Sequence, residues 1–146
     1  EAFAILSNPE KRRQYDSRLQ GGGAKPLSNS ELAQMKFKEG KIEFAKYNTT
    51  SALELFGQAA YLDTATAKYH YYYGVTLAKL NRLKEAVRAI ERAINIEPSN
   101  ADYLAEAGHL YLKLGFRTRA KSNFEEALKL APSHARAKEG MALVAE

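Results

Sequence analysis

Glycine recurs in this sequence at a fixed step of 34 residues, at Gly40, Gly74 and Gly108. Alanine keeps the same step in two further slots, and a bulky apolar residue keeps it in a third. These series are Ala52, Ala86 and Ala120; Ala59, Ala93 and Ala127; and Phe56, Ile90 and Phe124. A period of this length, with small and large apolar residues in fixed slots, indicates a repeat array.

Each cycle of the repeat is predicted to be a hairpin of two helices, A and B. Glycine in the eighth position and alanine in the twentieth let A and B approach closely, and the bulky residue in the twenty-fourth fills the space between them. Pro98 and Pro132 end helix B. Because one hairpin cannot bury its apolar face alone, the hairpins must stack. We therefore expect an all-α fold with repeats at 33–66, 67–100 and 101–134 and a last helix at 135–146.

Composition excludes several other classes of protein. The chain has 146 residues, a net charge of +5, no cysteine and only three histidines, and no apolar run reaches the length of about 20 residues that crosses a bilayer. Its basic residues are mixed with glutamate and form no stripe for nucleic acid. No catalytic, cofactor-binding or metal-ligating set is visible. We expect a cytoplasmic protein that is not an enzyme and binds no cofactor, metal, membrane or nucleic acid.

The repeat resembles the tetratricopeptide repeat over about residues 33–134. The copy that matches best contains Ala107, Gly108, Tyr111, Ala120 and Phe124, whereas Glu43 and Thr64 depart from the pattern in the first copy. The resemblance implies a right-handed superhelix of antiparallel helix hairpins, a C-terminal capping helix, and a concave groove lined by the A helices. Proteins of this kind bind a peptide or protein partner in the groove.

A second resemblance concerns residues 1–19, which are similar to the closing segment of a J-domain. The run from Leu6-Ser7-Asn8-Pro9 through Tyr15-Asp16 carries it. The functional His-Pro-Asp tripeptide of that family would lie upstream and is absent from this chain, so contact with Hsp70 would need an upstream J-domain. Residues 20–30, with Gly21-Gly22-Gly23, are predicted to be a flexible linker before a domain at 31–146. Ser28 or Ser30 could cap the first helix of that domain, and Ser30, with Glu31 next to it, is the simpler interpretation.

Groove positions of the family can be transferred to this chain residue by residue. They predict a peptide site formed by aromatic, apolar and basic side chains. Phe44, like Tyr73 next to Tyr72, could instead belong to the core. Tyr71 and Tyr72 are adjacent, so at least one should be partly exposed. The predicted site residues are Phe37, Lys38, Lys41, Phe44, Lys68, Tyr71, Tyr72, Val75, His109 and Leu112.

The best-known members of the family hold a C-terminal carboxylate with a clamp of Lys, Asn, Asn, Lys and Arg. The residues at the corresponding positions here are Phe37, Lys41, Tyr72, Asp102 and Glu106. Two clamp cations are thus replaced by anions, which would repel an acidic tail. We therefore expect a groove that does not act as a carboxylate clamp.

Together these features favour a protein-interaction module of a DnaJ-like co-chaperone that binds a client or adaptor peptide. The alternative is a scaffold repeat domain in a non-chaperone assembly or signalling pathway. The module is expected to be a monomer or a weak homo-oligomer, because a degenerate first repeat leaves an open end.

Overall fold

The structure, a computed structural model, describes residues 25–146, and these form seven α-helices and no strand. Consecutive helices pack in pairs as α1–α2, α3–α4 and α5–α6, and α7 packs on α5 and α6. The predicted all-α array of stacked hairpins is confirmed. The helices are α1 (Asn29–Ala45), α2 (Thr49–Leu62), α3 (Ala67–Lys79), α4 (Leu83–Ile96), α5 (Ala101–Lys113), α6 (Arg117–Leu130) and α7 (Ala135–Ala145).

The start of α1 decides between the two serines offered as caps, against the preferred Ser30. Ser28, and not Ser30, caps the helix: its hydroxyl accepts a hydrogen bond from the Glu31 amide at 3.1 Å, and its amide donates to the Glu31 carboxylate at 2.9 Å. This reciprocal pair requires a serine three residues before a glutamate, which is the spacing of Ser28 and not of Ser30. The last two residues of the predicted linker are therefore helical. The predicted J-domain segment and Gly21–Gly23 lie outside the described residues.

The interior of each hairpin shows why glycine keeps its step. A Cβ atom added to Gly40 would lie 2.7 Å from the ring of Phe56, and one added to Gly74 would lie 2.7 Å from Ile90. Each bulky residue therefore fills the space that a side chain on the facing glycine would occupy. The two alanine slots are fully buried in every repeat, as Ala52, Ala86, Ala120, Ala59, Ala93 and Ala127.

The core runs as a stripe along the array and is not one central cluster. A first group surrounds Phe37 and Phe56, and a second, larger group extends from Leu77 to Ala137. Tyr73 is half-buried and packs against both groups. Stacking of neighbouring hairpins therefore makes the apolar interior continuous, as repeat architectures require.

The turn inside each hairpin also repeats at 34 residues. Tyr47, Asn81 and Gly115 all have positive φ, at 65°, 62° and 89°. The residue after each donates its amide to a carbonyl five positions back, for example from Asn48 to Glu43 at 2.9 Å. This is the Schellman ending of a helix, whose left-handed position favours glycine. Tyrosine is therefore strained in the first copy, because its Cβ crowds the following carbonyl.

Tyr47→Gly is expected to raise the free energy of unfolding by about 1 kcal/mol, because glycine adopts this backbone conformation without strain. The Tyr47 side chain is 90% exposed, so few contacts are lost. Chemical denaturation followed by circular dichroism measures the change. Asn81→Gly is the matched control and should give a smaller gain, since asparagine tolerates positive φ. A loss of stability in Tyr47→Gly would contradict this view of the turn.

Candidate functional site

The A helices α1, α3, α5 and the capping helix α7 lie side by side, and side-chain contacts join each to the next. Phe37 of α1 meets Tyr72 of α3 with ring centroids 4.9 Å apart. Tyr71 of α3 meets Tyr103 of α5 at 4.7 Å. The ring of His109 on α5 hydrogen-bonds the Arg136 carbonyl on α7 at 2.9 Å. Four predicted site residues, Phe37, Tyr71, Tyr72 and His109, therefore take part in contacts between successive helices of this series.

Phe37 was predicted as a groove residue, and the structure places it mainly in the core. It is 7% exposed and lies among Phe56, Tyr69 and Tyr72, with ring centroids 4.9 to 5.7 Å away. Phe44 is half-buried against the same group. The sequence could not decide this, because a position that faces the groove also faces the neighbouring A helix.

Two lysines cover the small exposed part of the Phe37 ring. The ammonium nitrogen of Lys68 lies 5.1 Å from the ring centroid, and that of Lys41 lies 5.4 Å from it and 5.9 Å from the Tyr72 centroid. Such positions over a ring face are cation–π contacts. The lysines border a pocket between α1 and α3 that is lined by Ser30, Gln34, Phe37, Lys38, Lys41, Asp63, Thr66, Lys68 and Tyr69. We call it the lysine pocket.

The lysine pocket has little negative charge to offset its cations. Within residues 25–146, no carboxylate oxygen lies within 4.0 Å of the ammonium group of Lys38, Lys41 or Lys68. Asp63 also lines the pocket, where its oxygens accept hydrogen bonds from the Ala65 amide at 3.1 Å and the Thr66 hydroxyl at 2.8 Å, and its single negative charge stands against three lysines. This end of the groove is therefore electropositive.

The middle of the groove is aromatic. Tyr71 and Tyr72 are both half-buried, and their rings meet edge-to-face at 5.7 Å. The expectation that at least one of the pair is partly exposed is thus confirmed. Burial raises the pKa of the Tyr71 phenol, and the nearby carboxylates of Glu106 and Asp102 raise it further. Tyr71 therefore remains a neutral phenol beside the acidic end of the groove.

The acidic residues at the far end are paired with α7. Asp102 lies 2.6 Å from His134, and Glu106 accepts a hydrogen bond from Arg136 at 2.9 Å. His109, a predicted site residue, is half-buried and packs its ring on Phe124 at 4.9 Å. Val75 and Leu112 pack partly into the core. Sequence reasoning missed these pairs, although Arg136 stands one repeat step after Asp102 and so marks α7 as the next A helix.

A further depression has a lining that includes none of the predicted site residues, and the sequence did not suggest it. It lies between α2 and α4 and is lined in part by Gly57, Tyr61, Tyr73, Arg92 and Ile96. We call it the outer cleft. His70 also borders it, buried and hydrogen-bonded to the Thr64 carbonyl at 2.9 Å. The part of the chain that the structure describes contains no cluster of three metal-ligating side chains and no helix long and apolar enough to cross a membrane.

Comparison with known families agrees with this architecture. Two models, both described as tetratricopeptide repeat, match residues 67–100 and 106–146. This chain contains tetratricopeptide repeats. The match over 106–146 takes in α7, so the capping helix falls within the pattern of the family. The tetratricopeptide fold is a scaffold for protein interactions, and the predicted fold class is thereby confirmed.

Relatives of this tetratricopeptide chain are much longer proteins. It is 32% identical over 98 residues to the TPR repeat-containing thioredoxin TTL4 of Arabidopsis thaliana, covering 67% of this chain and 14% of the relative. It is 28% identical over 107 residues to the heat shock protein STI1 of Saccharomyces cerevisiae, covering 71% of this chain and 18% of the relative. The chain thus spans less than a fifth of the length of these curated relatives.

Solved structures share the fold at low sequence identity. The first TPR of Spaghetti (RPAP3), bound to the HSP90 peptide SRMEEVD, superposes with a TM-score of 0.78 at 16% identity. The match covers 81% of this chain and 94% of that structure. Likeness at this identity concerns the backbone arrangement alone.

Proposed function

We propose that the groove formed by α1, α3 and α5 binds a peptide segment of a client or adaptor protein. The observation that carries this proposal is the unequal distribution of charge along these helices. Lysines that form no ion pair within residues 25–146 and half-buried tyrosines occupy the α1–α3 end, whereas the acids of α5 are already paired with α7. Partly exposed aromatic rings beside unpaired charge are features of surfaces that anchor a partner.

The protein that contains this module is proposed to be a DnaJ-like co-chaperone. Support comes from the J-domain resemblance of residues 1–19 and from the likeness to a relative named as a heat shock protein. The alternative is a scaffold in a non-chaperone assembly. A longer natural chain that carries His-Pro-Asp upstream and stimulates the Hsp70 ATPase would favour the co-chaperone, and a chain without that tripeptide would favour the scaffold.

The groove is also proposed to act without a carboxylate clamp, although similar folds bind Hsp90 and Hsp70 peptides. Tyr72 stands where a clamp asparagine is usual, and the carboxylates of Asp102 and Glu106 stand where the last two cations are usual. These acids bind His134 and Arg136, so a peptide carboxylate would meet no free cation there. Calorimetry with a Glu-Glu-Val-Asp peptide is expected to give no measurable binding, and low-micromolar affinity would overturn this part of the proposal.

Steric blocking tests the groove itself without disturbing the core. Peptides are first selected from a random library on the wild-type chain. Gln34→Trp and Ala45→Trp place a bulky ring at two exposed positions of α1 that the repeat pattern assigns to the groove, and Ser122→Trp does the same at an exposed position of α6. We expect the groove variants to raise the Kd of the selected peptides by about tenfold or more, which is at least 1.4 kcal/mol. Equal effects of all three variants would contradict binding in the groove.

A further inference from the structure

We propose that the lysine pocket binds an acidic side chain located within the partner peptide, next to an aromatic or aliphatic residue that contacts Tyr72. This inference rests on the proposed function and specifies the chemistry of the partner. It concerns Asp or Glu side chains inside a chain, and it requires no free C terminus.

The geometry of the pocket supports an anion that bridges two helices. Lys41 is on α1 and Lys68 is on α3, yet both ammonium groups approach the same Phe37 ring, at 5.4 and 5.1 Å. The ring is almost wholly buried, whereas both lysines are exposed, so a bound anion can reach both cations from solvent. A carboxylate placed between them would contact both helices and reduce the repulsion between the two cations.

The charges around the pocket indicate that the anion comes from outside. Asp63 is the one acidic residue in the lining, against Lys38, Lys41 and Lys68, so the lining keeps an excess of positive charge. The other acids of the groove are held by α7. Lys38 adds a third cation at the rim. Charge complementarity therefore favours an acidic partner at this end of the groove.

The residues around the lysines favour an acidic side chain over a C-terminal carboxylate, because Tyr72, Asp102 and Glu106 replace residues of the clamp that would hold a C terminus. A lysine ammonium is a compact charge with rotatable donors, and it does not impose the planar two-point geometry of arginine. Lysines therefore accept a flexible Asp or Glu in several orientations. The rings of Tyr72 and Tyr71 continue from the pocket along the groove, so the peptide residue beside the acid is expected to be apolar.

The test uses a random peptide library displayed with both ends blocked, selected on the wild-type chain. We expect Asp or Glu to be enriched at one position beside an apolar residue. For a selected peptide made with an amidated C terminus, replacing that acid with its amide should raise the Kd about tenfold. In Lys41→Gln plus Lys68→Gln, acid and amide peptides should bind with similar Kd values.

The matched control is Lys121→Gln plus Lys129→Gln, which removes the same charge from exposed positions on α6. This variant should keep the preference for the acidic peptide. The inference is overturned if no acidic position is enriched, if the amide peptide binds as well as the acid, or if the pocket variant keeps the preference. If Gln34→Trp and Ala45→Trp leave the Kd of the selected peptides unchanged, the proposed function itself fails. Failure of the groove is thus distinguishable from failure of the acidic preference.

Discussion

Phe124→Ala is expected to lower the free energy of unfolding by about 3–5 kcal/mol. The side chain is fully buried, and its ring is enclosed by glycines of two different helices. A Cβ added to Gly108 on α5 would lie 2.5 Å from the ring, and one added to Gly140 on α7 would approach it even more closely. Removal of the ring therefore leaves a cavity where α5, α6 and α7 meet, and it also loosens the capping helix.

Chemical denaturation followed by circular dichroism measures this loss. Phe116→Ala is the matched control, because Phe116 is 55% exposed just before α6. Its expected cost is below about 1 kcal/mol. Equal losses for the two variants would show that Phe124 does not hold the three helices together.

Phe37→Ala is expected to have a cost of similar size, about 3–5 kcal/mol, although the sequence predicts this residue as part of the groove. Phe37 packs against Phe56, Tyr69 and Tyr72, and its ring carries the cation–π contacts of Lys41 and Lys68. The variant therefore loses a core side chain and the surface on which both lysines rest.

Tyr61→Ala is the matched control for Phe37→Ala, since Tyr61 is an aromatic residue of the same hairpin that is 84% exposed. It should change the free energy of unfolding by less than about 0.5 kcal/mol. If Phe37→Ala were as stable as the wild type, the Phe37 side chain would belong to the groove surface and not to the core. Reduced partner binding by Phe37→Ala alone says little about the groove, because unfolding would reduce binding too.

The fold could be predicted because its packing rule is local and repeated. Gly40 faces Phe56, and Gly74 faces Ile90. Both members of each pair recur at the fixed step of 34 residues, so the sequence alone identifies them. The turn positions follow the same step. Glycine at position 115 indicates a positive φ, whereas tyrosine at position 47 gives no such indication.

The candidate site was less predictable because it depends on contacts between repeats. Helical spacing placed Phe37 and Tyr72 on the groove side, but it could not show that their rings pack on each other. Nor could it show that Asp102 and Glu106 are paired with α7. The excess of positive charge at the α1–α3 end likewise depends on which acids pair with which cations, and spacing in the sequence does not give those pairs.

A nuclear magnetic resonance titration of the labelled chain with a library-selected peptide tests binding in the groove most directly. Binding in the groove predicts saturable shifts that are largest around Lys41, Lys68 and Tyr72, and small shifts in the outer cleft around Gly57 and Tyr61. Largest shifts in the outer cleft, with the groove residues unchanged, would contradict it.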